Sequence, residues 1–170
     1  MAKSKLMEMH NVGIVVESLD KAVAFFTEIG LTLEGRMMVE GEWAGRVTGL
    51  GNQSVEVAMM VTPDGHSRIE LSQFLNPKTI ADHRTSPVNA LGYLRVMFRV
   101  NHLDELLPRL EKHGASLVGE VVQFGDVYRL CYRSCYCDSA DHKKRCYNGR
   151  TKSQGRSEER RVGKECRLTC

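Results

Sequence analysis

Residues 10–35, HNVGIVVESLDKAVAFFTEIGLTLEG, decide the fold, because residues 94–119, LRVMFRVNHLDELLPRLEKHGASLVG, repeat them at a constant offset of 84. Seven positions are identical between 12–35 and 96–119: Val12/Val96, Val16/Val100, Leu19/Leu103, Asp20/Asp104, Gly30/Gly114, Leu33/Leu117 and Gly35/Gly119. Both copies read as strand, helix, strand, which points to duplication of one supersecondary unit. In the first copy a β-branched run near 9–16 predicts a strand. Ser18 is the expected N-cap, Leu19, Val23, Phe26 and Ile29 the helical stripe, and Gly30 the stop.

Working outward, strands are expected near 31–39, 54–62 and 67–74. The last two are joined by a turn at Pro63-Asp64-Gly65, where Pro fixes one dihedral and Gly accepts positive φ. The loop GEWAGR at 41–46 holds the sole tryptophan, Trp43, as a candidate lid. The first unit is thus β-α-β-β-β over 1–76. Residues 77–91 read as a linker. The second unit, 92–132, has a strand near 93–100, a helix near 103–113 containing Pro108, and strands near 115–123 and 127–132. A fourth strand is missing from it, so this unit is expected to be incomplete. The fold class is α+β, with paired β-α-β-β-β modules, a cupped mixed sheet and helices on its outer face.

The chain changes character after residue 132. Residues 1–132 carry 13 Lys/Arg and 16 Asp/Glu, whereas 133–170 carry 11 and 5, a swing from −3 to +6. All six cysteines lie in the last 40 residues, in spacings that match no usual zinc pattern. Neither strand alternation nor a helical stripe is visible there. Residues 156–167, RSEERRVGKECR, resemble the conceptual translation of a common short-read sequencing adapter. The tail is therefore expected to be a non-native, disordered, basic, Cys-rich extension. It is set aside from fold reasoning as a scar would be. No apolar run reaches the roughly 18–20 residues of a membrane span, and the first ten residues lack a signal peptide's apolar stretch. The expectation is a cytoplasmic protein without membrane or nucleic-acid partners.

Strand alternation places the side chains. Val12, Ile14 and Val16 face the helix, and Asn11, Gly13 and Val15 look away. Ile69 and Leu71 face the helix, and Arg68, Glu70, Ser72 and Phe74 look away. Arg95, Met97 and Arg99 repeat the outward set, and Arg129 is assigned to the same face. The concave face is thus expected to collect Asn11, Arg68, Glu70, Arg95, Arg99 and Arg129, one carboxylate among guanidinium forks suited to an anionic ligand.

These segments, with PDGHSRIELSQF at 63–74, resemble the vicinal oxygen chelate superfamily over about residues 8–132. This group includes glyoxalase I, extradiol dioxygenases and bleomycin-resistance proteins. The resemblance implies paired modules around a divalent metal (Zn, Ni, Mn or Fe), held by residues on the first and last strands of each module. Glu70 occupies the family's glutamate position, as metal ligand or proton-moving base. Asn11 stands where the family has a histidine, and Arg95 stands at the matching second-module position and cannot ligate a cation. Metal ligation is accordingly assigned to Glu70 and Asn11, and small-molecule binding to Asn11, Arg68, Arg95, Arg99, Arg129 and Trp43. Two functions follow from the resemblance: a glyoxalase-like lyase or isomerase acting on a small oxygenated metabolite, or a non-catalytic sequestration protein of the bleomycin-resistance kind. The family also implies a homodimer as one arrangement of the modules.

Overall fold

The computed structural model describes residues 8–80, 94–124, 126, 128–133 and 166–169. The chain divides into two compact units, Met1–Ala81 and Asp82–Cys170.

In the first unit the elements are β1 (Val12–Val15), α1 (Leu19–Ile29), β2 (Thr32–Gly41), α2 (Glu42–Thr48), β3 (Gln53–Val61) and β4 (Arg68–Asn76). Its sheet has the order β1-β4-β3-β2, with β1 parallel to β4 and the other pairs antiparallel. That order is what β-α-β-β-β connectivity demands, since α1 carries the chain from β1 to the far edge and a meander brings β4 back beside it. Helix α1 starts where the Ser18 hydroxyl accepts from the Lys21 N–H at 3.4 Å and stops at Gly30, φ 116°. Leu19, Ala22, Phe25 and Phe26 are buried, a stripe rotated from the expected one. Phe25 and Phe26 meet edge to face at 5.2 Å. Burying two such rings stabilises the unit by about 1.5–3 kcal/mol each.

Helix α2 replaces the loop expected at 41–46. It lies on the sheet face opposite α1, because Gln53, which shares a face of β3 with Val55, Val57 and Met59, accepts a hydrogen bond from the α2 residue Thr48 at 2.6 Å. Burial along β3 records both helices. The buried positions are Gln53 and Val55 at one end and Ala58 and Met60 at the other, so they switch faces in mid-strand. Gly45 explains why so glycine-rich a segment docks as a helix. A Cβ there would overlap the carbonyl of Gly51. Gly45→Ala is expected to cost about 3 kcal/mol, the upper end of overpacking penalties because backbone has to move, read as a lower urea midpoint at unchanged slope.

The second unit contains β5 (Met97–Val100), α3 (Leu103–Lys112), β6 (Val122–Phe124), β7 (Tyr128–Tyr132) and β8 (Cys166–Thr169). Its order, β5-β8-β7-β6, reproduces the first sheet element for element. The duplication therefore holds at the level of strand order, with β8 running opposite to β4. The fourth position is occupied, but not by a strand that continues the repeat. Residues Cys166–Thr169 fill the fourth-strand position, parallel to β7 and antiparallel to β5. Pairing between β5 and β7 is satisfied by backbone groups, which any extended segment supplies, so a four-residue strand needs no hydrophobic pattern to occupy the slot. The direction of the β5–β8 pairing differs from the parallel β1–β4 pairing. Residues 134–165, including most of the adapter-like run, lie outside the described residues, as does most of the linker.

The ordered second unit also runs past Tyr132. Leu117 bridges to Arg133, and Arg133 is buried, 2% exposed. Its guanidinium donates to the carbonyls of Leu107 (2.7 Å) and Ala115 (3.4 Å) and to the Glu111 carboxylate (2.9 Å). Around it Leu103, Leu106, Leu110 and Ala115 form the apolar core under α3. Among the described residues no helix is long and apolar enough to cross a membrane.

Candidate functional site

Alternation on two parallel neighbours builds the centre of the site. Gly13 of β1 is in register with Glu70 of β4, and Glu70 with Met59 of β3, which pairs with Gly35 of β2. The next row on that face is Val15, Ser72, Val57 and Met37. Gly13 and Gly35 have open space where a Cβ would stand, so the Glu70 row forms the low floor of the face. Val15 and Met37 remain 58% and 61% exposed. A half-buried carboxylate thus lies in an apolar surround, with α2 at one end.

Glu70 is held by two donors. Asn11 Nδ2 donates to Oε2 at 3.0 Å and the Ser72 hydroxyl to Oε1 at 3.3 Å. A carboxylate offers about four lone-pair positions, so both oxygens keep acceptor capacity after these bonds. Asn11 likewise keeps a second amide N–H and its own carbonyl.

Arg68 shares this face but does not pair with Glu70. It reaches across β3 and forms a two-pronged ion pair with Glu34 of β2, at 2.8 and 2.9 Å. Glu34 is the extra residue of the bulge between Leu33 and Gly35, which turns it towards the arginine. The pair, through hydrogen bonding first, holds the Glu34 carboxyl below its ordinary range and the Arg68 guanidinium above its own. Trp43, in the first turn of α2, is 62% exposed. It belongs to a helix on the Glu70 side of the sheet. Met60 is buried in the core, whereas Met37 and Met38 are exposed.

In the second unit Arg95 donates to the Tyr132 hydroxyl at 3.2 Å and lies over its ring at 5.8 Å, a cation–π contact. Arg99 is exposed on β5. Arg129 is the misplaced residue. It forms a two-pronged ion pair with Asp104 of α3, at 2.6 and 2.8 Å, and Cys131 and Arg133 on the same side of the strand are buried. Arg129 therefore faces the helix, not the open face, and the Asp104 carboxyl lies below its ordinary range because Arg129 hydrogen-bonds it. Arg133 carries the phase of β7. Reading the segment as ending at Tyr132 hid the alternation Arg129, Cys131, Arg133 that a buried face requires.

A profile of the glyoxalase/bleomycin resistance protein/dioxygenase superfamily matches residues 10–132. The chain belongs to this superfamily. It is also similar to a crystal structure of a glyoxalase family protein from Bacillus cereus, at 60% identity over 99% of this chain and 97% of that one, with a TM-score of 0.77. No curated protein matches it significantly.

Superfamily members commonly use divalent metals, so the donor set deserves a direct test. Among the described residues no group of three or more His, Cys, Asp or Glu side chains comes together. Around Glu70 the neighbours are an amide and a hydroxyl. Divalent sites are built from several oxygen or nitrogen ligands with more than one strong donor among them. One carboxylate with Asn11 does not meet that need. Assigning Glu70 and Asn11 as metal ligands is not supported by their arrangement.

Proposed function

We propose that the chain is a glyoxalase-like lyase or isomerase, acting on a small oxygenated metabolite at the Glu70 face. The observation that carries this reading is Glu70 itself, a half-buried carboxylate that accepts from Asn11 and Ser72 while Arg68, on the same face, is taken up by Glu34. Such a group is placed to act as a general base. Glu70 takes a proton from a carbon next to a carbonyl. The C–H electron pair moves into the carbonyl and leaves an enolate oxygen. The free N–H of Asn11 donates to that oxygen, in the manner of an oxyanion hole. Where the deprotonated carbon bears a hydroxyl, that hydroxyl's proton passes to the enolate oxygen and Glu70 returns its own proton to the former carbonyl carbon, which completes an isomerisation; loss of a leaving group from the carbon on the other side completes an elimination.

The exposed Val15 and Met37 favour a ligand with an apolar flank. The alternative, a sequestration protein of the bleomycin-resistance kind that binds without chemistry, is favoured by Asn11 standing at a histidine position.

Solvent-deuterium exchange into a panel of small α-hydroxy carbonyl compounds separates the two. Exchange at the carbon next to the carbonyl, catalysed by the wild-type chain, supports the enzyme. Binding of panel members without exchange supports sequestration. Gly13→Val adds a side chain to the floor beside Glu70 where no atom stands within 4 Å. Its melting temperature is expected to hold or rise slightly, since a β-branched residue suits a strand, while exchange falls roughly tenfold or more through displaced substrate.

A further inference from the structure

We infer that the Glu70 site works without a divalent cation, the amide N–H groups of Asn11 supplying the positive end that a metal would otherwise provide. The inference builds on Glu70 as the working carboxylate.

The duplication makes Asn11 equivalent to Arg95 and Gly13 to Met97 at the offset of 84. Gly13 has Glu70 as its register partner on β4. Where the first unit carries an amide beside that carboxylate, the second carries a guanidinium, which has five donors and no lone pair to offer. On the face of the first unit the row of Gly13, Glu70, Met59 and Gly35 and the row of Val15, Ser72, Val57 and Met37 hold a single carboxylate.

The local geometry of the first unit points the same way. The Asn11 amide N–H is aimed at Glu70 Oε2, across the space on the carboxylate that a cation would take. Turning the amide over would set its carbonyl oxygen against a carboxylate oxygen, two acceptors with no proton between them. With no cation between them the N–H therefore stays on Glu70, and a cation would have to turn the amide over and find further ligands beyond these two oxygens.

The test uses the full chain, dialysed separately against Mn2+, Zn2+, Ni2+ and Fe2+, with bound metal counted and melting temperature recorded. Glu70→Gln and Asn11→Asp are measured beside it. Metal taken by the cysteines is common to all three chains and drops out of the comparison. Wild type is expected to hold the same amount as Glu70→Gln, with a melting temperature indifferent to Mn2+. Asn11→Asp keeps the shape but sets a second carboxylate against Glu70. It is expected to hold more Mn2+ than wild type and to melt higher with Mn2+ than in chelator, as binding to the folded state requires. A wild type that holds one additional ion per chain, lost in Glu70→Gln, overturns the inference, as does a wild type holding more Mn2+ than Asn11→Asp. An exchange-active wild type with a Glu70-dependent ion sinks this inference alone. A cation-free chain that catalyses no exchange sinks the enzymatic reading alone.

Discussion

Glu70→Gln is expected to lower the rate of carbon-bound proton exchange by about 10²–10⁴-fold, the range a positioned general base contributes. Glutamine keeps the length and branching of the side chain, and its carbonyl oxygen still accepts from one of the two donors, Asn11 Nδ2 or the Ser72 hydroxyl. What it loses is the ability to take up a proton. The fold is expected to survive, because Glu70 is half-buried on an open face and the core beneath it, Ile69 and Leu71, points the other way. A melting temperature within a few degrees of wild type confirms that. A variant that folds normally and exchanges at the wild-type rate removes Glu70 from the chemistry and leaves it an acceptor for Asn11.

Arg133→Ala is expected to destabilise the second unit by about 2–4 kcal/mol. Two losses combine there: buried carbonyls left without a donor, and a cavity where the side chain was. The affected carbonyls are those of Leu107, in the middle of α3, and Ala115, just past the turn that ends it. Glu111, the third partner, is 60% exposed and returns to water, so no charge is stranded. Arg133→Met restores volume without donors and is expected to recover about half the loss. Urea unfolding followed by hydrogen exchange on α3 reads both. Equal effects of Ala and Met would assign the whole role to hydrogen bonding, and no effect of either would show that α3 ends without help from Arg133.

The first unit was legible because its signals are local. Alternation set Asn11 and Glu70 on one face, and parallel pairing of β1 with β4 made them neighbours. The offset of 84 carried the same plan into the second unit, and the strand order follows it. The failures share a cause, which is that a partner distant in sequence decides the outcome. Glycine-rich GEWAGR read as a loop until Gly51 supplied the surface against which Gly45 fits. Arg68 shares the Glu70 face by alternation, but the bulge at Glu34 offers it another carboxylate. Arg129 pointed to the wrong face because Arg133, a charged residue in a buried position, concealed the period of the strand. The segment CRLT at 166–169 has no pattern at all, and the backbone vacancy between β5 and β7 recruits it.

That late recruitment sets an order of events during synthesis. Each sheet has its last strand in sequence inside the layer rather than at its border. The first can close as soon as residue 76 clears the ribosome. In the second, β5 leaves early and waits, its backbone unanswered, until residue 169 follows. Long-range closure of this kind is slow and leaves a strand open to foreign pairing in the interval. The amino-terminal half is therefore the natural template to be finished first, and a stalled or shortened message would leave that half folded and β5 exposed.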